Sequence, residues 1–316
     1  MKVCIIGAGR TRNGIGEYIG KYFHKHGGKV TSILGTTGKT SLRASSTLQK
    51  YGIEARSYTD FDRMVTAEKP DAAVIASPSS THYGYLLRCI DSGLHIFCEK
   101  PFIWDDGADL LERVEDILGK ARRKGATIAM NSQWPFSVDA YEGLCGKISI
   151  ERTNSFFIRM SPFSPGKTMI PESVPHAFSL LYCLLGSGDI NDLHFESKNK
   201  GEMNIRFSYL FGKNACDVLI RLVHQETPPR AFSFGFNEKI VSRRLDPRNY
   251  EIYFDYGDKT LKIADPLERS VKDFMEAVEE GREPLIGHRH ILHNMRLLEK
   301  ISQAFETFEK GNPWKS

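Results

Sequence analysis

The stretch Val3-Cys-Ile-Ile-Gly-Ala-Gly9 decides the fold of the first part of this chain of 316 residues. A short apolar run that stops at a glycine is typical of a buried strand, and a helical pattern begins soon afterwards at Ile15. Glycines between a strand and a helix are the context of a dinucleotide-binding turn, because they let the backbone approach a pyrophosphate at the positive end of the helix. We therefore expect Gly7 and Gly9 to bind the phosphates of a cofactor.

The glycine turn departs from the usual G-x-G-x-x-G spacing. Gly14 is the next glycine after Gly9, and the loop is longer by about two residues. We include Gly14 in the expected cofactor site. Arg10 and Arg12 lie in the inserted stretch and are candidates for contact with phosphate, although arginines at a loop tip can equally be solvated.

Strand and helix patterns alternate through the first 131 residues. Repeated units of this kind predict an α/β fold with a doubly wound parallel sheet and right-handed crossovers, a Rossmann domain. The predicted strands are 3–6, 30–34, 72–76, 95–98 and 126–131, and the predicted helices are 15–26, 41–51, 60–68, 82–92 and 106–124.

The pattern changes near residues 133–135 and becomes rich in strands that alternate apolar and polar residues. Helices are predicted at 174–185, 267–278 and 291–308, and Gly257-Asp258 marks a hairpin turn. We expect an NAD(P)-binding domain over 1–133 and, over 134–316, an α+β domain with a mainly antiparallel open sheet for substrate binding and oligomerisation.

Composition excludes several classes of protein. A net charge of +4, spread along the chain, is too weak to indicate nucleic-acid binding, and no apolar stretch reaches the roughly 18 residues of a membrane span. The six cysteines form no CxxC pair and do not combine with the ten histidines at zinc spacing. We expect reduced thiols, a cytoplasmic protein and no metal site.

The end of the second predicted strand favours one cofactor over another. No Asp or Glu occurs between Glu17 and Glu54, so a carboxylate that would bind the ribose of NAD is missing. Hydroxyls and a cation suit a 2′-phosphate instead. The pattern predicts NADP bound by Thr36, Thr37 and Lys39, with NAD still possible; the alternative is that Lys39 only starts a solvated helix.

Two further segments are the most specific feature of the sequence. Asp71-Ala-Ala-Val-Ile-Ala-Ser-Pro78, with His82, precedes Gly93-Leu-His-Ile-Phe-Cys-Glu-Lys-Pro101. This arrangement resembles the Gfo/Idh/MocA family, named for glucose-fructose oxidoreductase and inositol dehydrogenase, closely in the first domain and in outline in the second. The resemblance implies a two-domain dehydrogenase in which Lys100 contacts substrate and cofactor. It also assigns Ser77, Pro78, His82 and Glu99 to the cofactor site.

The position of Lys100 is also reasonable on physical grounds. Ligands bind at the carboxyl ends of strands in open α/β sheets, and a cation there can orient a hydroxyl or stabilise a developing alkoxide. The alternative is a surface ion pair between Lys100 and Glu99. For His82, a purely structural hydrogen bond is equally plausible.

A second catalytic candidate lies at residues 172–179. The resemblance implies that His176 is a catalytic histidine and Glu172 its acidic neighbour, whereas Ser179 replaces a second acid. Histidine suits proton transfer near neutral pH. We expect Pro175 in the first helical turn, with His176 at the start of the helix. The alternatives are a helix-capping histidine buried against Tyr182, and a Glu172 that only interacts with the helix dipole.

These features together predict an oxidoreductase. It would transfer hydride between NADP and a C–OH/C=O group of a sugar, polyol or sugar derivative. The alternatives are an imine reductase on the same scaffold and a non-catalytic NADP-binding sensor. The strand predicted at 217–224 is apolar on both faces, whereas a strand with one face in water would alternate apolar and polar residues. We therefore expect a homodimer or homotetramer in which a second copy covers the other face of this sheet.

Overall fold

The computed structural model describes residues 1–8, 14–105 and 109–311. By their contacts these residues divide into two compact units. Unit 1 comprises Met1–Ser132 and Leu267–Leu292, and unit 2 comprises Gln133–Pro266 and His293–Ser316. The division at 133/134 expected from the sequence differs from this grouping in residues 267–292.

Unit 1 contains a six-stranded parallel sheet with the order β3-β2-β1-β4-β5-β6. This is the Rossmann order, in which the strand sequence reverses between β1 and β4, and it confirms the predicted fold class. The strands are β1 (Lys2–Ile6), β2 (Lys29–Leu34), β3 (Arg56–Tyr58), β4 (Ala72–Ile75), β5 (His95–Glu99) and β6 (Ile128–Asn131), and the helices are α1 (Gly16–Lys25), α2 (Gly38–Gln49), α3 (Phe61–Glu68), α4 (His82–Asp91) and α5 (Leu110–Lys124).

Unit 2 contains an eight-stranded sheet with the order β14-β13-β12-β11-β7-β10-β9-β8. All neighbouring strands are antiparallel except β7 and β10, as the predicted α+β domain requires. Its elements are α6 (Val138–Cys145), β7 (Thr153–Met160), α7 (Met169–Leu185), β8 (Asp189–Asn199), β9 (Glu202–Phe211), β10 (Asn214–Val223), β11 (Phe232–Phe236), β12 (Lys239–Asp246), β13 (Glu251–Tyr256) and β14 (Lys259–Ile263).

The two faces of the unit 2 sheet differ strongly. Buried aromatic residues such as Phe207 and Phe234 point to one face, where Phe178 of α7 lies 6.3 Å from the Phe207 ring. The other face of β10 exposes Asp217 and Arg221. The expectation that β10 is apolar on both faces is therefore wrong, because charged residues alternate with apolar ones on its outward side.

The last two helices are α8 (Pro266–Glu280) and α9 (His288–Gly311). In α8, the Phe274 ring lies 6.0 Å from Phe23 and 5.5 Å from Phe97, inside the core of unit 1. An ion pair from Lys25 to Glu268 adds to this packing. These contacts explain why residues 267–292 group with unit 1. Among the described helices, none is long and apolar enough to cross a membrane.

Candidate active site

The glycine turn after β1 lies against the end of β4. Gly7 has a φ of +88°, and a Cβ there would lie 2.4 Å from the Cα of Ser77. Only glycine fits such a left-handed and crowded position. The approach occurs at the point where the strand order reverses, which is where open α/β sheets bind nucleotides.

The start of α1 is packed just as closely. A Cβ at Gly16 would lie 3.0 Å from the Cα of Ala8, so Gly16 supplies the close helix–strand contact expected of the third glycine in a dinucleotide turn. In the sequence, Gly16 is the second glycine after the lengthened loop, two residues beyond Gly14. Gly14 precedes α1, whereas Gly9, Arg10 and Arg12 lie outside the described residues.

The N-terminus of α2 presents donors without a nearby acid. Thr37 is the N-cap, and its Oγ1 accepts a hydrogen bond from the Thr40 amide at 3.2 Å. The next two amides, those of Gly38 and Lys39, begin the helix and have no carbonyl in a preceding turn to bond. Thr36 and Lys39 are exposed, and the first turn of α2 contains no acidic residue. This arrangement suits an anion such as a phosphate.

His82 connects the ends of β4 and β5. Its Nε2 lies 2.9 Å from the carbonyl oxygen of Ser77 and its Nδ1 2.9 Å from that of Pro101. The ring is 1% exposed. These contacts correspond to the structural alternative for His82; a contact with cofactor stays a prediction. His82 therefore holds the Glu99-Lys100-Pro101 segment beside the turn that contains Ser77 and Pro78.

Lys100 directly follows β5 and is half-buried. Its neighbour Glu99 accepts a hydrogen bond from Nδ2 of Asn131, at the end of the adjacent strand β6. Burial raises the pKa of the preceding Cys98 thiol well above its usual value, which makes a nucleophilic thiolate at this strand end unfavourable. A role for the Lys100 ammonium at this strand end stays a prediction.

In unit 2, the second candidate lies inside a helix and not at its start. α7 begins at Met169, so Pro175 is an interior residue and His176 lies in the third turn. The expectation that Pro175 occupies the first turn is wrong. Pro171 fits that first turn, where the missing N–H costs little, and this allows the helix to begin earlier.

Glu172 anchors the loop that follows β7. One carboxylate oxygen accepts from the amides of Phe163 and Ser164 at 3.0 and 3.1 Å, and the other accepts from the Ser164 hydroxyl at 2.5 Å. Glu172, four residues before the half-buried His176, therefore holds this loop against α7. Its role in orienting or charging His176 stays a prediction.

Ser179, which replaces the second acid, is fully buried and bound to α9. The Asn294 amide donates to the Pro175 carbonyl at 2.7 Å and to the Ser179 hydroxyl at 3.0 Å. The carbonyl acceptor fixes which way the Asn294 amide faces. One residue of α9 thus holds the backbone immediately before His176. Asn294 could not be predicted as a partner of this segment, since 119 positions separate it from Pro175.

The predicted site residues therefore fall into two groups. Within unit 1, Gly7, Ser77, Pro78, His82, Glu99 and Lys100 lie at neighbouring strand ends, and the threonines and Lys39 lie at the start of α2. Within unit 2, Glu172 and His176 share α7. The described residues contain no cluster of His, Cys, Asp or Glu that could hold a metal ion.

The geometry of unit 1 agrees with the family to which the chain is similar. Residues 1–132 match the GFO_IDH_MocA family model, described as an oxidoreductase family with an NAD-binding Rossmann fold. Over these residues the chain is similar to this family of oxidoreductases.

Individual relatives are similar over parts of the chain. D-glucoside 3-dehydrogenase of Escherichia coli (strain K12) is 26% identical over 142 residues, which are 45% of this chain and 37% of that protein. Inositol 2-dehydrogenase 2 of Paenarthrobacter aurescens (strain TC1) is 30% identical over 144 residues, or 42% of each chain. The curated relatives are therefore matched over less than half of their length.

A similar solved structure covers nearly the whole chain. UDP-N-acetylglucosamine 3-dehydrogenase GnnA from Acidithiobacillus ferrooxidans has a TM-score of 0.72 and 17% identity, with 98% of each chain covered. At this identity the likeness shows the fold, and it includes both the parallel and the mainly antiparallel sheet.

Proposed function

We propose that this protein is an NADP-dependent oxidoreductase acting on a C–OH/C=O group of a sugar, polyol or sugar derivative. The observation that supports this most is the approach of Gly7 to Ser77 at the switch point of a Rossmann sheet, with Lys100 at the end of a nearby strand. The relatives named for glucoside and inositol oxidation support a carbohydrate-like substrate.

The choice of NADP over NAD rests on charge at α2. The exposed Lys39 and Thr36 lie at a helix N-terminus without an acidic residue in its first turn. A dianionic 2′-phosphate gains from this surface, whereas a ribose hydroxyl has no carboxylate to bind. The backbone of Gly7 would contact the pyrophosphate, because glycine has no side chain to obstruct the close approach of the phosphates.

The residues of the chain supply proton transfer and charge stabilisation. When bound, NADP supplies or accepts the hydride. In the oxidation direction, His176 takes the proton from the substrate hydroxyl while the ammonium of Lys100 stabilises the oxygen. In reduction His176 donates that proton. Glu172 and Asn294 hold the helix segment of His176 in place.

A substrate panel tests this function. Polyols, free sugars and nucleotide sugars are incubated with the protein and NADP, and their keto forms with NADPH, while nucleotide fluorescence is followed. We expect turnover of at least one member. NADPH binding without turnover of any member would contradict the proposal and favour the non-catalytic sensor.

We also propose a closed homo-oligomer assembled through the outward face of the unit 2 sheet. A groove of about 560 Å³ crosses this face, lined by apolar Phe157, Leu219 and Ile240 and by charged Arg206 and Asp217. A second copy of the same face would cover both kinds of side chain.

A cytoplasmic location is supported by the six cysteines, which are all free thiols.

A further inference from the structure

Arg243 lies on the core-facing side of β12 beside a stacked aromatic pair. The rings of Trp134 and Phe232 are 3.6 Å apart and nearly parallel, at 12°. The Arg243 guanidinium carbon lies 5.6 Å from the Trp134 ring centroid. Both aromatic residues are buried, so the cation is held against an apolar surface.

The hydrogen bonds of Arg243 leave much of its charge uncompensated. Its Nη2 donates to the backbone carbonyl of Arg230. Its Nε is buried and has no hydrogen-bond partner in the part of the chain that the structure describes. A guanidinium has five N–H donors, and buried polar groups are normally satisfied.

A second cation, Arg230, lies near Arg243, and no acid is paired with it among the described residues. Burial lowers the pKa of Arg243, and the nearby Arg230 acts in the same direction, while Tyr250 and Asp265 act against it. Neither arginine forms an ion pair within 4 Å with any described acid. A partly buried charge without a paired acid is unfavourable and favours the binding of an anion.

We propose that Arg243 and Arg230 form an anion subsite that binds a carboxylate or phosphoryl group of the ligand. Guanidinium groups bind both kinds of anion by paired, charge-assisted hydrogen bonds. An anion would supply the directly paired counter-charge that Asp265, which forms no ion pair with either arginine within 4 Å, does not. The further statement that this anion is part of the sugar substrate rests on the proposed function. The existence of the anion subsite does not rest on that function.

The neighbouring residue offers a matched control. Arg244 points away from the core, is half-exposed, and pairs with Asp255 at 3.0 Å. Arg244→Met therefore removes the same charge and keeps the same side-chain length one position along β12, without touching the aromatic pair. Arg230→Met provides a second variant in case Arg243→Met does not fold.

Thermal unfolding with and without ligand tests the subsite, without any turnover. The probes are D-glucuronate, D-glucose 6-phosphate and neutral D-glucose at constant ionic strength. We expect at least one anionic probe to raise the melting temperature of the wild type and of Arg244→Met, with D-glucose giving a smaller shift. In Arg243→Met and in Arg230→Met, the affinity for that probe falls about tenfold or more.

Which probe responds identifies the anion, since D-glucuronate reports a carboxylate and D-glucose 6-phosphate a phosphoryl group. The subsite is refuted if no anionic probe stabilises the wild type, if neutral D-glucose does so equally, or if both Arg243→Met and Arg230→Met respond like the wild type. Failure here would leave the proposed function standing. Success here with an inactive substrate panel would refute only the proposed function.

Discussion

At the residue scale, Lys100 lies at a defined position just beyond the end of a parallel strand. It directly follows β5, and both neighbouring residues form hydrogen bonds: Glu99 with Asn131, and Pro101 with His82. These bonds fix the residues on either side of Lys100, and we propose that its ammonium meets a charge that develops during reaction. The buried Cys98 is not a competing nucleophile, because burial raises its pKa.

The variant Lys100→Ala tests that role. We expect turnover to fall by about 10² or more, the range of a positioned catalytic group, with NADPH affinity unchanged within a few fold. Steady-state rates and nucleotide titration measure the two effects separately. Lys124→Ala, an exposed lysine at the end of α5, is the matched control, and a turnover as high as that control would remove Lys100 from the mechanism.

At the element scale, local patterns predicted the parallel sheet well and the start of α7 poorly. Three strands of unit 1, β1, β2 and β5, end at or just before a glycine or a charged residue that interrupts an apolar run, so their positions follow from the local sequence. The short β3 has no apolar run of this kind and is not among the predicted strands. Two prolines mark α7, and the sequence alone does not tell which one occupies the first turn. In the structure Pro171 occupies the first turn, because the helix begins at Met169, and the buried Met169 and Ile170 extend its apolar surface.

The same limit applies to the site residues. The strand-end positions of Gly7 and of the Glu99-Lys100-Pro101 segment could be predicted from the apolar runs that precede them, whereas their roles in binding and catalysis stay predictions. Asn294 could not, since its bonds to Pro175 and Ser179 join distant parts of the chain. The departure at Ser179 from the expected acid became understandable only once this buried partner was visible.

At the scale of the whole molecule, the outward face of the unit 2 sheet predicts self-association. Its charged residues belong partly to pairs within the face, such as Ser208 with Asp217 at 3.2 Å, while Leu210 and Ile240 are more than 40% exposed. A mixed surface of this kind is typical of an interface between folded subunits.

Light scattering at micromolar concentration measures the association. We expect a mass of two or four times the 35.8 kDa of one chain. Replacing Ile240, exposed on β12, with Asp should shift the mass toward the monomer, because a buried charge would then oppose the interface. A wild-type mass near 35.8 kDa would show that the sheet face is not an obligate interface.

We propose that this chain is an NADP(H)-binding oxidoreductase, and calorimetric titration of NADPH and of NADH measures its cofactor preference. We predict that NADPH binds at least about tenfold more tightly, a difference of about 1.4 kcal/mol. Lys39→Ala should weaken NADPH binding and leave NADH binding unchanged, because only NADPH has a phosphate at that position. Equal or tighter binding of NADH to the wild type would contradict the account.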